Sequence, residues 1–427
     1  MITYILASLI VVALFSGMPI FAVFLAATML GFYNSEVDLV VIAIELYRMV
    51  DTPLLLSLPL FTFAGYLLSE SNTSERLLRL TRALFGWMPD GIAIVALVIC
   101  AFFTAFTGAT GVTIVALGAL LLPALIKAGY KESFSLGLVT SSGSLGLLLP
   151  PSMPLIIYGI IVQQMQIKQQ FGFDELFLAG LLPGLLMIFA MALWSIWANR
   201  GTPLPKQKLE ANKILAALWD ARWEVPLPIF VFIGIFGGIF AISEVAAMVA
   251  LYVLIVEVFI YKEIKLNRLV SITENSMVTV GGILLILGVS FAFTNYLIDS
   301  EVSNSLFNWV QEYVDNKFTF LLLLNIFLLL LGAILDIFSA LVVVVPLIVP
   351  IAMSFGIHPL HLGIIFLANM QLGYFTPPVG MNLFIASYRF QKPILDIYRA
   401  SFPFFIVLLI CVLIITYWPW LTLVFIN

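Results

Sequence analysis

The stretch Gly146-Leu147-Leu148-Leu149-Pro150-Pro151 has a near twin in Gly373-Tyr374-Phe375-Thr376-Pro377-Pro378, 227 residues further on from Pro150 to Pro377. Each lies midway through an apolar run long enough to cross a bilayer. A double proline removes two backbone donors and clashes with the preceding turn. It should therefore leave the carbonyls of Gly146 and Gly373 without helical partners, and glycine leaves a freed carbonyl uncovered. Unpaired backbone is tolerated at membrane depth only where protein buries it or where it lines a cavity. Two such breaks in repeated halves point to paired ion and substrate sites of a secondary transporter.

The rest of the chain supports a membrane setting. Of 427 residues, 63% are hydrophobic and 10% charged, and mean hydropathy is +1.15. A soluble domain carries roughly 25% charged residues, so the composition reads as an all-α polytopic membrane protein. The net charge of -4 matters less than where the charges fall. Cys100 and Cys411 lie in apolar runs, which argues against a disulfide framework. No GxxxxGK[ST] motif occurs, so ATP binding by that route is excluded. The first apolar stretch begins at Ile2 with no basic segment before it and reads as a structural helix, not a cleaved signal.

The apolar stretches form two similar series. The first comprises Ile2 to Phe15, Ile20 to Phe32, an amphipathic Val37 to Val50, Leu54 to Leu68, Gly91 to Gly129, Ser133 to Gln163 and Leu176 to Ala198. The second comprises Pro226 to Ala241, Val245 to Tyr261, an amphipathic Leu266 to Asn275, Met277 to Ile298, Phe318 to Phe355, Leu360 to Tyr388 and Ser401 to Trp418. Tyr66-Leu67 faces Tyr296-Leu297 in this alignment, Leu136-Gly137 faces Leu362-Gly363, and Gly129 faces Gly356. The domain reading is a first repeat over 1–199, a cytoplasmic connector over 200–224 and a second repeat over 225–427.

Gly91 to Gly129 would extend ~58 Å as one helix, about twice the hydrocarbon core. It must turn back, and Thr107-Gly108-Ala109-Thr110-Gly111 is the natural tip of a hairpin over 91–129. The hairpin over 318–355 turns near Gly332-Ala333-Ile334-Leu335-Asp336. The double-proline runs, 133–163 and 360–388, read as single crossings by a broken helix. Arg76, Arg79, Arg82, Lys127, Lys131, Arg200, Lys206, Lys208, Lys213, Arg222, Lys262, Lys265, Arg268, Arg389, Lys392 and Arg399 then share one side. Only Arg48, Lys168 and Lys317 face the other. The positive-inside rule favours this arrangement. It places both termini outside the cytoplasm and inverts the two halves relative to each other.

Neutral oxygens and glycines crowd both breaks. Thr140, Ser141, Ser142, Gly143, Ser144 and Gly146 flank the first, and Asn369, Met370, Gln371, Gly373 and Thr376 the second. Hard monovalent cations take such ligands from unwound backbone. No carboxylate cage suggests calcium, and no His/Cys cluster suggests zinc. The competing reading of the Ser/Gly run is close helix packing by small residues. Asp336 is the only acid at either tip; it binds a cation, carries a proton or caps the helix starting at Ile337. Glu244 reads as a helix cap. The connector run Lys206-Gln207-Lys208 to Lys213 reads as solvated. Trp418 and Trp420 read as interfacial anchors. An enzyme needs a nucleophile with a base, or metal ligands. His358 and His361 share one segment start with no acid partner, which argues against catalysis.

Four motifs together resemble the large membrane subunit of TRAP (tripartite ATP-independent periplasmic) transporters, the DctM type, over nearly the full length. They are Phe106-Thr107-Gly108-Ala109-Thr110-Gly111-Val112; Gly143-Ser144-Leu145-Gly146 with Leu149-Pro150-Pro151-Ser152; Gly332-Ala333-Ile334-Leu335-Asp336; and Thr376-Pro377-Pro378-Val379-Gly380-Met381-Asn382. The resemblance implies an elevator-type secondary transporter of the bacterial inner membrane, driven by sodium and importing organic acid anions such as sialic acid or C4-dicarboxylates. It implies a separate small four-helix membrane subunit and a periplasmic substrate-binding protein as partners, with no nucleic acid and no organic cofactor. It places sodium between each tip and its neighbouring break: at Gly108 and Thr110 with Ser141, Ser144 and Gly146, and at Gly332 and Asp336 with Gly373 and Thr376. The substrate falls between the tips, where Thr107, Ala109, Ser142, Ser152, Asn369, Gln371 and Asn382 are the candidates. The alternative is a stand-alone carboxylate symporter or antiporter of similar architecture.

If the second break is functional, replacing Pro377 and Pro378 by alanine restores a continuous helix and abolishes substrate uptake in proteoliposomes. Normal uptake by that variant would refute the broken-helix reading.

Overall fold

Inside a bilayer every backbone group must find a partner within the chain, which for an unbranched apolar run means a helix. The computed structural model is all-helical over the residues it describes. These are all but 1–5, 7, 11, 14–15, 17, 51, 89, 166, 168, 170, 202–209, 301–305, 307, 309, 311, 315 and 427; for Ile20, Val50, Ile298 and Asp299 the backbone alone is described. Among the described residues nine helices are long and apolar enough to cross a membrane. Most of the expected first stretch, Ile2 to Phe15, and the basic run Lys206 to Lys208 lie outside the described residues.

Both long apolar runs turn back where expected. The first hairpin has arms Gly91–Thr107 and Thr110–Lys127, and the second has arms Lys317–Ile334 and Ile337–Ser354. Gly108 adopts φ +62 at the first tip, a conformation that costs glycine little and other residues more. Both double-proline runs are interrupted helices. The first consists of Glu132–Ser142, a 3-10 turn Leu145–Leu148 and Met153–Gln164; the second of Pro359–Gly373 and Met381–Phe390. Both Pro-Pro bonds are cis. Arm ends at Thr107 and Ile334, arm starts at Thr110 and Ile337, helix starts at Glu132 and Pro359, and positive-φ glycines at Gly129 and Gly356 all repeat at the same 227-residue offset.

The hairpins and broken helices form one closely packed group with the helices Phe173–Ala198 and Ile394–Tyr417. The first broken helix is buried along nearly its whole length, from Ser135 to Val162. Its second half is tied to the start of the other broken helix, where the Tyr158 hydroxyl donates to the Pro359 carbonyl at 2.6 Å. A second group comprises Ile20–Asn34, Val40–Val50, Ser57–Glu70, Pro226–Phe236, Ile242–Leu254 and Leu266–Asp299. Among the described residues it meets the first group along both hairpins, and Thr73–Phe85 also packs on the first hairpin arm Gly91–Thr107. Ser57–Glu70 lies along the first hairpin, and Leu266–Asp299 lies along the second, with the Ser290 hydroxyl donating to the Val342 carbonyl at 2.9 Å.

The fold departs from the sequence-based expectations in three respects. The amphipathic Leu266 to Asn275 is not separate from the stretch Met277 to Ile298. It runs without interruption into the span that follows, as one helix Leu266–Asp299 of 34 residues, because no proline separates the two parts. In the first repeat Pro53 does separate them, and Val40–Val50 stands apart from Ser57–Glu70. The reading also missed Thr73–Phe85, a helix too polar to register as a span. Finally, the described part of the run expected to be solvated, 210–213, is exposed, but the connector also carries structure that the sequence did not announce. It contains the helix Ala211–Asp220, packed on Thr73–Phe85, and ends in Glu224, which is 1% exposed.

Glu224 belongs to a buried ionic cluster around Arg76, itself 3% exposed. The guanidinium pairs with Glu224, with Glu263 and, at 3.5 Å, with Glu257, and stacks over the Tyr261 ring at 3.8 Å. The Thr73 hydroxyl donates to Glu257 at 2.8 Å. One cation thereby joins Thr73–Phe85, the connector and the end of the span beginning at Ile242. Burial opposes the guanidinium charge, but the three carboxylates outweigh it and raise the Arg76 pKa. Burial also opposes the Glu263 carboxylate; Arg76 and the Asn72 amide outweigh it and hold the pKa below the ordinary value. Its contribution to stability is present above the unfolded-state pKa and lost as pH falls through the folded-state one.

Removing one partner of a buried ionic group leaves uncompensated charge, at a cost of about 3–5 kcal/mol. Arg76→Met is therefore expected to lower the melting temperature strongly. Arg79→Met, which removes an exposed pair with Asp220, is expected to cost at most about 1 kcal/mol. Similar melting of the two variants would contradict the cluster's structural role.

Candidate functional site

Proline at 150–151 and 377–378 stops each helix, and the freed backbone is rebuilt locally. The Gly146 carbonyl accepts from the Leu149 N–H at 3.0 Å, and the Gly373 carbonyl from the Thr376 N–H at 2.9 Å. Both carbonyls thus lack the helical partner four residues on, as expected, and a tighter turn replaces that bond. Each oxygen keeps a second lone pair.

Each break is pressed against one arm of its own hairpin, close to the tip. A Cβ on Gly146 would lie 2.1 Å from the Ala101 carbonyl oxygen and 2.4 Å from the Ala105 nitrogen. One on Gly373 would lie 2.6 Å from the Gly332 backbone. Ala105 and Gly332 are equivalent under the 227-residue offset, so the same glycine makes the same approach in both halves. Around the first break the Thr104 hydroxyl donates to the Gly143 carbonyl at 2.8 Å and lies 2.8 Å from the Thr113 hydroxyl. Around the second, the Ala333 carbonyl accepts from the N–H groups of Val379 and Gly380, and the Ile337 N–H donates to the Tyr374 hydroxyl at 2.8 Å.

The two breaks meet each other. The Ser144 hydroxyl donates to the Gln371 carbonyl at 3.4 Å, and these residues are 227 apart. Ser144 and Gln371 therefore occupy equivalent places and touch where the halves join. The Gln371 side chain is fully buried, with neither Oε1 nor Nε2 bonded among the described residues. A buried amide without partners costs about 1–3 kcal/mol for each unsatisfied group, so such a side chain is a place for a ligand to bind. Thr140 Oγ1 and Asn382 Nδ2 are likewise buried without partners.

The first tip reaches the second broken helix. Thr110 donates to Asn382 Oδ1 at 2.7 Å, and a Cβ on Gly111 would lie 2.6 Å from Ile385. Gly108 packs on Met153. Thr107, Gly108, Ala109, Thr110 and Asn382 thus form one group, Ser144 and Gln371 a second, and Gly332 and Gly373 a third, with Gly146 set against Ala101 and Ala105 of the first hairpin arm. Other candidates point elsewhere. The hydroxyls of Ser141, Ser142 and Thr376 donate to carbonyls of their own helices, and that of Ser152 to Leu147. Asn369 donates to Asn325 Oδ1 at 2.7 Å, which also accepts from Thr416. Asp336 caps its helix: Oδ1 accepts from the N–H groups of Phe338 and Ser339, and Oδ2 from the Ser339 hydroxyl. Glu244 caps through the Ala241 N–H, as expected.

Sequence reasoning missed Thr104, Thr113, Tyr374 and Asn325. The first two carried a signal: threonine recurs at 104, 107, 110 and 113 across an otherwise apolar tip. The two sides of the site also differ in access. Pro377 and Pro378 are exposed and Val379 is 42% exposed, whereas Pro151 and Ser152 are buried.

Comparison with known proteins adds a family. The model of the tripartite ATP-independent periplasmic transporter, DctM component, matches residues 4–421. The isethionate TRAP transporter permease protein DctMQ of Oleidesulfovibrio alaskensis is 30% identical over 375 residues; the match spans 87% of this chain but only 58% of that longer relative. The C4-dicarboxylate TRAP transporter large permease protein DctM of Pseudomonas aeruginosa is 31% identical over 387 residues, spanning 90% of this chain and 89% of the relative. The YdaH transporter of Alcanivorax borkumensis, whose crystal structure is described as having an unusual topology, superposes with TM-score 0.63 at 13% identity, covering 87% of this chain and 88% of that one. That likeness establishes the fold.

The packing at the second break makes a measurable demand. Gly373→Ala drives a Cβ into the Gly332 backbone and is expected to destabilise the protein by about 1–3 kcal/mol. Gly281→Ala, in a helix with open space around it, is expected to be neutral or to stabilise by up to about 1 kcal/mol. Thermal melting of the two variants in one detergent compares them.

Proposed function

Because this chain belongs to the DctM family of tripartite ATP-independent periplasmic transporters, we propose that it imports an organic acid anion across the bacterial inner membrane by sodium-coupled elevator motion. It is a multi-pass membrane protein and a permease subunit of a binding-protein-dependent system, not an enzyme. The group of hairpins and broken helices is the moving body. The group containing Ser57–Glu70 and Leu266–Asp299 is the fixed scaffold, braced on its cytoplasmic side by the Arg76 cluster. The two halves, 1–199 and 225–427, have inverted topology, and both termini lie on the periplasmic side.

One observation carries this reading: two proline breaks, each pressed on its own hairpin arm, meet at Ser144 and Gln371 with buried polar atoms left unsatisfied. The groups present suit a hard monovalent cation. They are neutral carbonyl and hydroxyl oxygens at Gly143, Ser144, Gly146, Gln371 and Gly373, with no group of three His, Cys, Asp or Glu among the described residues that could hold a divalent metal. Sodium bound there would supply positive charge next to the anion. The protein's own residues hold the oxygens in place: Thr104 fixes the Gly143 carbonyl, and the Tyr374 hydroxyl and Asp336 cap the first turn of the helix beside the second break. Gly108 and Thr110 at the first tip, Gly332 at the second, and Ser141 and Thr376 beside the breaks complete the two regions.

The substrate lies between the tips, beside Thr107, Ala109, Asn382 and Gln371. Isethionate and C4-dicarboxylates, named for the relatives, are both organic anions, and sialic acid belongs to the same class. The partners are a small four-helix membrane subunit and a periplasmic binding protein. The isethionate relative, named DctMQ, extends well beyond the matched region, as a chain carrying both membrane parts would.

The purified protein in detergent is expected to melt at a higher temperature in sodium than in choline at equal ionic strength, because a ligand of the folded state stabilises it by mass action. Gln371→Ala is expected to reduce that rise. Equal melting in both salts, in protein shown to be folded, would contradict sodium coupling.

A further inference from the structure

We propose that the transported anion is held on one side of the internal repeat only, by the side-chain amide of Asn382. The assignment rests on the transport reading above and deepens it by naming the group that recognises the acid function of the substrate. Asn382 lies in the first turn of Met381–Phe390 and is 0% exposed. Its backbone N–H donates to the Tyr374 carbonyl at 2.9 Å, and its Oδ1 accepts from Thr110 at 2.7 Å. The first bond fixes the backbone at Asn382, and the second orients its side chain. Its Nδ2 is left with two hydrogens and no partner among the described residues. A buried amide donor without an acceptor is complementary to a carboxylate or sulfonate oxygen.

The repeat gives an internal comparison. The 227-residue offset that relates Ser144 to Gln371 relates Thr110 to Ile337 and Asn382 to Leu155. Ile337 and Leu155 are apolar and buried, at 1% and 0% exposure. The other half therefore has no donor at the equivalent place. Access differs in the same sense, since Pro377, Pro378 and Val379 are exposed where Pro151 and Ser152 are buried. Above Asn382 sits the first hairpin tip, with Ala109 and Gly111 half-buried. An anion arriving past the second break meets the Asn382 amide once that tip lifts. Thr110 acts as the positioning residue: its hydroxyl holds Oδ1 and so presents Nδ2.

The test is thermal melting of the full chain with succinate, isethionate or sialic acid, each in sodium and in choline. Wild type is expected to gain a further sodium-dependent rise with at least one of the three anions. Asn382→Asp keeps the shape but replaces the donor by a negative oxygen; it is expected to lose the anion response and keep the response to sodium alone. That retained response also shows that the variant is folded. Thr110→Val releases the amide and is expected to weaken the apparent anion affinity about fivefold. An anion response undiminished in Asn382→Asp overturns the assignment, as does a wild type that responds to sodium but to none of the three anions. An Asn382→Asp protein with enhanced sodium response and intact anion response overturns it in favour of a cation ligand. A wild type without sodium response removes the transport reading itself, and this assignment with it.

Discussion

Backbone groups cannot remain unpaired in hydrocarbon, and this chain breaks two membrane helices with double prolines. Most of the central architecture answers that constraint. Each break is closed by a tight turn at its glycine carbonyl and covered by a hairpin arm. The remaining oxygens of the breaks are met by Thr104 and by the opposing break through Ser144. The hairpins exist because their runs are too long for one crossing, and their tips fall beside the breaks because the glycines at 146 and 373 let the backbones approach. A substitution at either glycine therefore acts on fold and site together.

Much of this was legible in the sequence, and for physical reasons. Proline and glycine set backbone geometry locally, so the breaks, the tip at Gly108 and the 227-residue repeat could be read without knowing any contact. Helix boundaries at Thr107 and Ile334, or at Glu132 and Pro359, then followed within a residue or two. What escaped depends on tertiary packing. The Arg76 cluster draws Glu224, Glu257 and Glu263 from distant segments, and nothing local marks them. Leu266–Asp299 was divided because its polar start resembled a surface helix, whereas helix continuity follows the absence of a breaker, not hydrophobicity. The direction of each side chain was also illegible: Asn369 turns to Asn325, and Ser152 to Leu147, although both lie near breaks that suggested ligand contact.

The two groups of helices contrast in their chemistry. The group containing Ser57–Glu70 is braced by buried charge, which holds the connector, Thr73–Phe85 and the span beginning at Ile242 in one arrangement. The hairpin and broken-helix side uses neutral oxygens, amides and small residues. Under the sodium-coupled transport proposed above, neutral ligands suit a site that would bind and release a cation and an anion in every cycle, since a fixed buried charge would favour one occupancy state too strongly. The only carboxylate at a tip, Asp336, has its oxygens engaged by three donors of its own first helical turn, and so serves to hold the tip's shape.

The central claim is that the hairpin and broken-helix group moves as a body past the scaffold. It is tested most directly by locking the contact between Ser290 and Val342, which joins the two groups at 2.9 Å and lies outside the candidate site. Cysteines would replace both residues in a chain lacking Cys100 and Cys411, and a short thiol-reactive cross-linker would bridge them. Sodium-driven uptake would then be measured in proteoliposomes with the partner subunits before bridging, after it, and after release of the link. The account predicts uptake that stops on bridging and returns on release. Undiminished uptake with the link fully formed would contradict it.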